Sequence, residues 1–186
     1  MKTASLLSTA LVLGLSAGSA FAGGFVGLGI GSPSKLELDD NLGAFASDGR
    51  SGKLFGGYRF PVQTGYIAVE GSYTGFGLMR NGNTFDGRTL GLAAKYNHKL
   101  SDGFELFGRL GVQQTSLDAS TGSFTFDGTG LLVGAGAEYH LPIKLPVDSA
   151  IYIDGTYSSF DLARSDNNAE HSANDLVFSL GVVVGF

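Results

Sequence analysis

The most reactive side chains of this sequence lie close together near its C-terminus, at Glu170, His171, Ser172 and Asn174. A serine nucleophile, a histidine base and an acid that orients the base are the groups of a hydrolase. Catalysis requires the base to lie within hydrogen-bond reach of the nucleophile, a geometry that adjacent residues on a loop rarely achieve. Because Asp and Asn surround this segment, we expect a solvated loop and no catalytic residue.

The remaining reactive residues indicate no metal site and no cofactor site. The chain has three histidines and no cysteine, which excludes thiolate ligands and disulfides. The acidic runs at 39–40 and 166–168 lack the ligand spacing of an EF-hand and are typical of solvated loops. Gly27, Gly29 and Gly31 superficially match a dinucleotide-binding turn, but no helix is predicted after them. The formal net charge of -5 argues against a nucleic-acid partner.

The last eleven residues have the pattern of a membrane-facing strand. Every second residue is large and apolar, whereas the residues between them are mostly smaller. A strand with one continuous apolar face that ends in Phe is typical of an outer membrane β-barrel, because that face contacts lipid. The pattern predicts a membrane-insertion signal formed by Phe178, Leu180, Val182, Val184 and Phe186.

The N-terminus has the features of an export signal. Lys2 precedes an apolar run over residues 4–18, and Ala20 and Ala22 match the small residues of a cleavage site. No later segment approaches the roughly 20 apolar residues that a transmembrane helix requires. We therefore expect residues 1–22 to be a cleaved signal peptide and residues 23–186 to form one domain.

Alternating segments in the rest of the chain predict eight strands. The sequence contains 30 Gly, 14 Phe and 7 Tyr but only four Pro, which favours strands and turns over helices. The predicted strands cover about 24–32, 52–61, 65–75, 87–98, 103–115, 129–140, 149–160 and 175–186. Short connections (62–64, 99–102 and 141–148) alternate with longer polar ones (33–51, 76–86, 116–128 and 161–174). This alternation is typical of outer membrane barrels, in which the short turns are periplasmic.

The two faces of these strands differ in a way that distinguishes a membrane barrel from a soluble one. Glu70, Lys95, Arg109, Glu138 and Asp154 share their face with Gly, Ala, Ser and Thr, and large apolar residues occupy the opposite face. An eight-stranded barrel has an interior just wide enough for side chains, so the charged face is predicted to point inward. Phe55 and Phe107 are exceptions that fall on the charged face. Five aromatic residues on the apolar face are predicted to form interfacial girdles: Tyr73, Tyr96, Tyr139, Tyr157 and Phe186. We expect His98 and His140 at the periplasmic rim.

A set of short motifs resembles the transmembrane domain family of outer membrane protein A. The motifs are Phe55–Tyr58, Ile67–Tyr73, Gly91–Lys95, Leu100–Asp102, Phe107–Gly111, Gly136–Tyr139 and Ser179–Val182. The resemblance implies an interior ion-pair cluster of Glu70, Lys95, Arg109 and Glu138. Where the family has a further interior Arg, this sequence has Asp154, so three acids are expected to face two bases. We do not expect the C-terminal peptidoglycan-binding domain of the family after this barrel.

The sequence thus predicts an all-β fold, an eight-stranded antiparallel up-and-down transmembrane β-barrel in a Gram-negative outer membrane. The expected role is structural or adhesin-like, through four long extracellular loops. One alternative is a small ion or solute channel. A second alternative is a lipid A-modifying enzyme, because some lipid A deacylases are eight-stranded barrels with a His-x-Ser-Asn motif. The His, Ser and Asn residues of this sequence are spaced differently from that motif. The expected partners are outer-membrane lipid and lipopolysaccharide, the barrel-assembly machinery and a host or environmental ligand, and we expect a monomer.

Overall fold

A computed structural model describes residues 23–32, 35–38, 45–47, 51–80, 83–119, 125–142, 147–164 and 170–186. The predicted signal peptide and the acidic runs at 39–40 and 166–168 lie outside the described residues. All regular secondary structure within the described residues is β-strand. No helix in this part of the chain is long and apolar enough to cross a membrane.

Ten strands make up the structure, and eight of them close into a barrel. In chain order they are β1 (Gly23–Gly31), β2 (Lys35–Leu38), β3 (Phe45–Ser47), β4 (Ser51–Val62), β5 (Gly65–Arg80), β6 (Asn83–Lys99), β7 (Phe104–Ala119), β8 (Thr125–His140), β9 (Asp148–Arg164) and β10 (Glu170–Gly185). The ring consists of β1 and β4 to β10, each antiparallel to its neighbours, and β1 closes it by pairing with β10. The predicted eight-stranded antiparallel barrel is confirmed.

The two ends of the barrel differ. At the turn end lie both termini of the barrel and the connections 63–64, 100–103 and 141–147. At the loop end, β1 and β4 stop earlier than the other strands. There β2 pairs with β10 and β3 pairs with β5, so these two short strands extend the wall above β1 and β4.

Three of the four predicted long loops are largely strand, which corrects the sequence prediction. The ranges 76–86, 116–128 and 161–174 form the outer parts of β5 to β10, separated only by the connections 81–82, 120–124 and 165–169. Their abundant polar residues indicated loops, but in the structure these residues alternate with apolar ones that face inward. The first predicted loop, 33–51, contains β2 and β3.

The outer face of the barrel is apolar over the part nearest the turn end. Leu28, Leu110 and Ile153 are each about 60% exposed and point away from the lumen. The five aromatic residues predicted for the girdles are also exposed, at 41–50%. In β1, a Cβ atom added at Gly27 or Gly29 would collide with the ring of Phe55 or the hydroxyl of Tyr152, so the crowded lumen requires glycine there.

The loop end of the barrel has the opposite polarity. Its inward residues form the loop-end apolar cluster, which consists of Leu78, Leu117, Phe160, Leu162 and Ala173 with Phe76 and Phe126 packed against it. The leucines of this cluster are 0–1% exposed. The neighbouring outward residues include Asp127, Ser159 and Asp161, which are exposed. This section therefore resembles a water-soluble barrel, with apolar residues inside and polar residues outside.

Candidate functional site in the barrel lumen

Four charged side chains from four different strands form the central network of the lumen. They are Lys53, Glu70, Arg109 and Asp154, and the side chain of each is at most 8% exposed. Lys53 Nζ lies 3.3 Å from Asp154 Oδ2. Arg109 donates to Glu70 Oε1 at 3.0 Å and also bonds to Asp154 and to the hydroxyl of Thr156. Two bases and two acids balance in this buried site, as buried charges require.

A second group, the turn-end network, occupies the lumen near the turn end. It consists of Arg59, Lys95, Glu105, Glu138, His140 and Asp148, supported by Tyr66 and Asn97. Lys95 bonds directly to Glu138, which also accepts from the Tyr66 hydroxyl at 3.0 Å. Arg59 Nη1 lies 3.2 Å from Asp148 Oδ2. Here three acids face two bases and one histidine.

The predicted cluster of five charges is thus divided between two networks. Glu70, Arg109 and Asp154 meet in the central network, whereas Lys95 and Glu138 meet in the turn-end network. Among the described residues no ion pair joins the two groups. The expected excess of acid over base around Asp154 is corrected by Lys53, which supplies the missing partner.

Aromatic rings lie between the two networks. The rings of Phe55 and Tyr152 meet edge-on at 5.1 Å. Lys95 Nζ lies 4.0 Å from the centre of the Phe107 ring, and Lys53 Nζ lies 5.1 Å from that of Phe55. These cation–π contacts give a physical reason for the two phenylalanines that broke the face pattern in the sequence.

The two histidines expected at the rim differ in placement. His98 is exposed, with its Nδ1 3.2 Å from the hydroxyl of Tyr96. His140 instead turns toward the lumen, where its Nδ1 lies 2.8 Å from Asp148 Oδ1. His140 is therefore part of the turn-end network rather than a purely interfacial residue.

A cavity of about 70 Å³ separates the central network from the loop-end apolar cluster. Its walls carry the hydroxyl groups of Ser51, Ser72, Thr74, Thr89, Thr156, Ser158 and Ser179. Lys53 and Arg109 line it on the side of the central network, and Phe76 and Phe160 line it on the opposite side. A space of this size lined by hydroxyl groups is suited to a few water molecules.

The segment that contains the hydrolase-like residues is a strand and not a loop, since β10 begins at Glu170. The hydroxyl of Ser172 donates to Asp161 Oδ1 at 2.7 Å, and Asn174 accepts from the hydroxyl of Tyr157 at 2.9 Å. The side chains of Glu170 and His171 lie outside the described part of the chain. Consecutive residues of a strand face opposite sides, an unfavourable arrangement for a nucleophile and an adjacent base.

The residues predicted as an insertion signal lie along the outer face of β10. Phe178, Leu180, Val182 and Phe186 are exposed, and Val184 is half-buried. The backbone of Phe186 donates to Gly24 O at 2.9 Å, which extends the pairing with β1 to the last residue.

Sequence reasoning missed Lys53 and Arg59 as lumen residues. Lys53 and Arg59 stand an even number of residues from Phe55, which had already been placed on the charged face. The same alternation rule therefore contained the signal for both bases. The side-chain contacts between strands on opposite sides of the lumen have no comparable signal in the sequence.

A closed ring with an apolar outer belt and a charged, tightly filled interior defines a transmembrane β-barrel. The chain belongs to the family described as the outer membrane protein beta-barrel domain, whose model matches residues 3–186. The resemblance inferred from the short motifs is thereby confirmed at the level of the family, and so is the predicted location in the outer membrane. No curated protein sequence is similar enough to the chain to count as a match.

Solved structures share the fold at low sequence identity. Neisserial surface protein A has a TM-score of 0.60 and 19% identity, covering 90% of this chain and 100% of that chain. Ail, the attachment invasion locus protein of Yersinia pestis, in complex with the heparin analogue sucrose octasulfate, has a TM-score of 0.55 and 18% identity, with coverages of 90% and 100%. OprG from Pseudomonas aeruginosa has a TM-score of 0.50 and 13% identity, with coverages of 90% and 96%.

Proposed function

We propose that this protein is a closed, non-conducting outer membrane barrel that displays its loop-end section as a contact surface outside the cell. The loop-end apolar cluster supports this proposal most strongly. Leu78, Leu117 and Leu162 are almost completely buried at the end of the lumen, where an open channel would expose them to water. Below them lies the cavity of about 70 Å³, and beneath it the two ion-pair networks and the aromatic rings occupy the interior.

The outer face of the loop-end section indicates which partners suit it. Asp86, Asp118, Asp127 and Asp161 are at least partly exposed there, and Arg88 is the base that pairs with Asp118 at 3.6 Å. Among the described side chains of this surface, carboxylates outnumber bases, and such a surface attracts a basic partner and repels polyanions. Although Ail is recorded with a heparin analogue, we expect this chain to bind polysulfated sugars poorly and to prefer a cationic protein surface.

Planar-bilayer recording tests whether the barrel is closed. Wild-type protein should show no steady current. The double variant Phe160→Ser and Leu162→Ser, which places polar groups in the loop-end apolar cluster, should leave the central network as a second barrier and also remain non-conducting. Adding Arg109→Ser and Lys53→Ser removes this second barrier, but the aromatic rings and the turn-end network below it should still keep the barrel non-conducting. A steady wild-type current would contradict the proposal.

The cavity favours a second candidate, a channel for small polar solutes. Its hydroxyl walls provide hydrogen-bond partners beside the central network, where a solute that passed Phe76 and Phe160 would lodge. In that case, Phe160→Ser alone should raise the current or the rate of solute entry into liposomes.

We propose no catalytic role, because the Ser172 hydroxyl is engaged by Asp161 on an exposed strand face. We also propose that residues 1–22 are cleaved on export and that the outward face of β10 is recognised by the barrel-assembly machinery. Deletion of Phe186 should reduce the amount of heat-modifiable barrel in outer membranes, whereas Phe186→Tyr, which keeps an aromatic terminus, should not. Equal amounts of folded protein in both variants would contradict the insertion role.

A further inference from the structure

His140, Glu105 and Glu138 bring three metal-binding groups together at the turn end of the lumen. One histidine nitrogen and one oxygen from each carboxylate all lie within 4.8 Å of one another. His140 Nε2 is 3.4 Å from Glu105 Oε1 but forms no hydrogen bond with the described residues, although it is buried. The other ring nitrogen, Nδ1, is held by Asp148 at 2.8 Å. The Asp148 carboxylate thus fixes the ring with Nε2 directed at the two glutamates.

Asn97 provides an independent sign of a ligand at this position. The residue is 0% exposed, and its amide nitrogen donates to Glu105 Oε2 at 3.0 Å. Its Oδ1 atom is buried, and within the described residues no donor reaches it. A buried amide oxygen without a partner is costly, and it lies beside the carboxylate that faces His140.

We propose that this group is a divalent-cation site with the ligand chemistry of Zn²⁺, held by His140, Glu105 and Glu138. A mixed set of imidazole nitrogen and carboxylate oxygen suits zinc better than calcium or magnesium. Zinc bonds of about 2.0–2.2 Å place tetrahedral ligands about 3.3 Å apart, which is close to the 3.4 Å between His140 Nε2 and Glu105 Oε1. A carboxylate on the far nitrogen of the histidine, here Asp148, is the usual support of a zinc-bound histidine.

Charge and access both permit the ion. Asp148 and Glu105 favour a proton on His140, which zinc would displace, and the three acids of the turn-end network then exceed Arg59 and Lys95 by one negative charge. Glu138 would turn one oxygen away from Lys95 or Tyr66 to complete the site. The side chains of His140 and Asp148 are 20% and 48% exposed, so an ion reaches the site from the turn end without crossing the lumen. The sequence indicated no metal site because the donors come from β7 and β8, and their support Asp148 from β9, so that the group meets only in the fold.

Zinc titration of untagged protein, refolded in detergent, tests the site. Competition with a chromophoric chelator should show one tightly bound Zn²⁺ per barrel, and X-ray absorption at the zinc edge should show nitrogen and oxygen ligands that include one imidazole. His140→Ala and Glu105→Gln should each abolish this binding. Asp148→Asn should weaken it by about 10–100-fold, as the loss of a supporting carboxylate does.

His98→Ala is the matched control, because His98 lies at the same end of the barrel on the outer surface. It should bind zinc as wild type does, and heat-modifiable mobility on gels verifies that each variant is folded. If His140→Ala does not fold, Glu105→Gln decides the result. The proposal is overturned if wild type binds no zinc, if folded Glu105→Gln binds as tightly as wild type, or if His98→Ala loses the ion.

Discussion

The membrane section and the loop-end section of this barrel use the same strands with opposite polarity. In the membrane section of β9, Ile153 points outward and is 59% exposed, whereas its neighbour Asp154 is buried in the lumen. Further along the same strand, Phe160 and Leu162 are buried inside and Ser159 and Asp161 face outward. The apolar side chains of one strand thus change faces between its two sections.

The reversal shows which solvent surrounds each section. Where lipid covers the wall, apolar residues are favoured outside, and the polar residues inside must satisfy one another. Where water covers the wall, the hydrophobic effect drives apolar residues into the lumen. The shift in β9 occurs at Ser158 and Ser159, next to the exposed Tyr157, an aromatic residue of the kind expected at the outer boundary of the membrane. We infer that the parts of the strands beyond this boundary, the loop-end section, are surrounded by water.

The largest expected effect comes from removing a charge inside the membrane section. Arg109→Met leaves Glu70 and Asp154 without their shared partner, and breaking a buried pair from one side costs about 3–5 kcal/mol. Urea unfolding in lipid vesicles should therefore show a loss of that order.

The control for this variant is Arg88→Met in the loop-end section. The Arg88 and Asp118 side chains are 59% and 47% exposed, and exposed pairs contribute at most about 1 kcal/mol. Equal losses for Arg88→Met and Arg109→Met would mean that water fills the lumen as freely as it covers the outer wall.

The second prediction compares apolar residues instead of charged ones, by removing one apolar side chain from each section of β7. Leu117→Ala leaves a hole in the loop-end apolar cluster, and buried Leu to Ala changes cost about 2–5 kcal/mol. Leu110 is 61% exposed on the lipid face, where acyl chains fill the space that Leu110→Ala leaves, so its loss should be clearly smaller. The same vesicle unfolding assay distinguishes them, and a larger loss for Leu110→Ala would show that the loop-end cluster is loosely packed.

Alternation alone predicted much of the membrane section. Placing Glu70 and Arg109 on the face of small residues required only the two-residue period of a strand and the narrow interior of eight strands. The loop-end section was assigned to loops because Asp, Ser and Gly are frequent there. Phe160 and Leu162 still alternate with polar residues, but they occupy even positions, whereas Ile151 and Ile153 occupy odd positions. A strand prediction that requires all apolar residues on one face therefore stops where the apolar residues change faces.

The contacts across the lumen could not be predicted from the sequence. Arg109 reaches Glu70 and Asp154, rather than Glu138, because the strand register and the tilt of the barrel set the heights of these residues. Neither quantity is encoded in the alternation of a single strand. The same geometry brings His140 to Glu105, although the sequence pattern placed His140 only at a rim.

The third prediction concerns the outer wall. Leu180→Lys places a charge against lipid and should cost about 2–4 kcal/mol near the middle of the bilayer. Ser159→Lys is equally outward but in the loop-end section, where surface changes usually stay within about 0.5 kcal/mol. The effects of both variants are measured by the yield and stability of folded protein in outer membranes. Tolerance of Leu180→Lys together with rejection of Ser159→Lys would reverse the assigned polarity.

A cysteine scan along β9 tests the change of polarity most directly, because the chain contains no cysteine of its own. Spin labels placed singly at 151, 153, 159, 160, 161, 162 and 163 in vesicles should divide into three groups. Labels at 151 and 153 should collide with oxygen dissolved in lipid, and those at 159, 161 and 163 with a water-soluble nickel chelate. Labels at 160 and 162 should be protected from both reagents. Lipid exposure that continues through 163, or free access of the nickel chelate to 160 and 162, would contradict the two-section barrel.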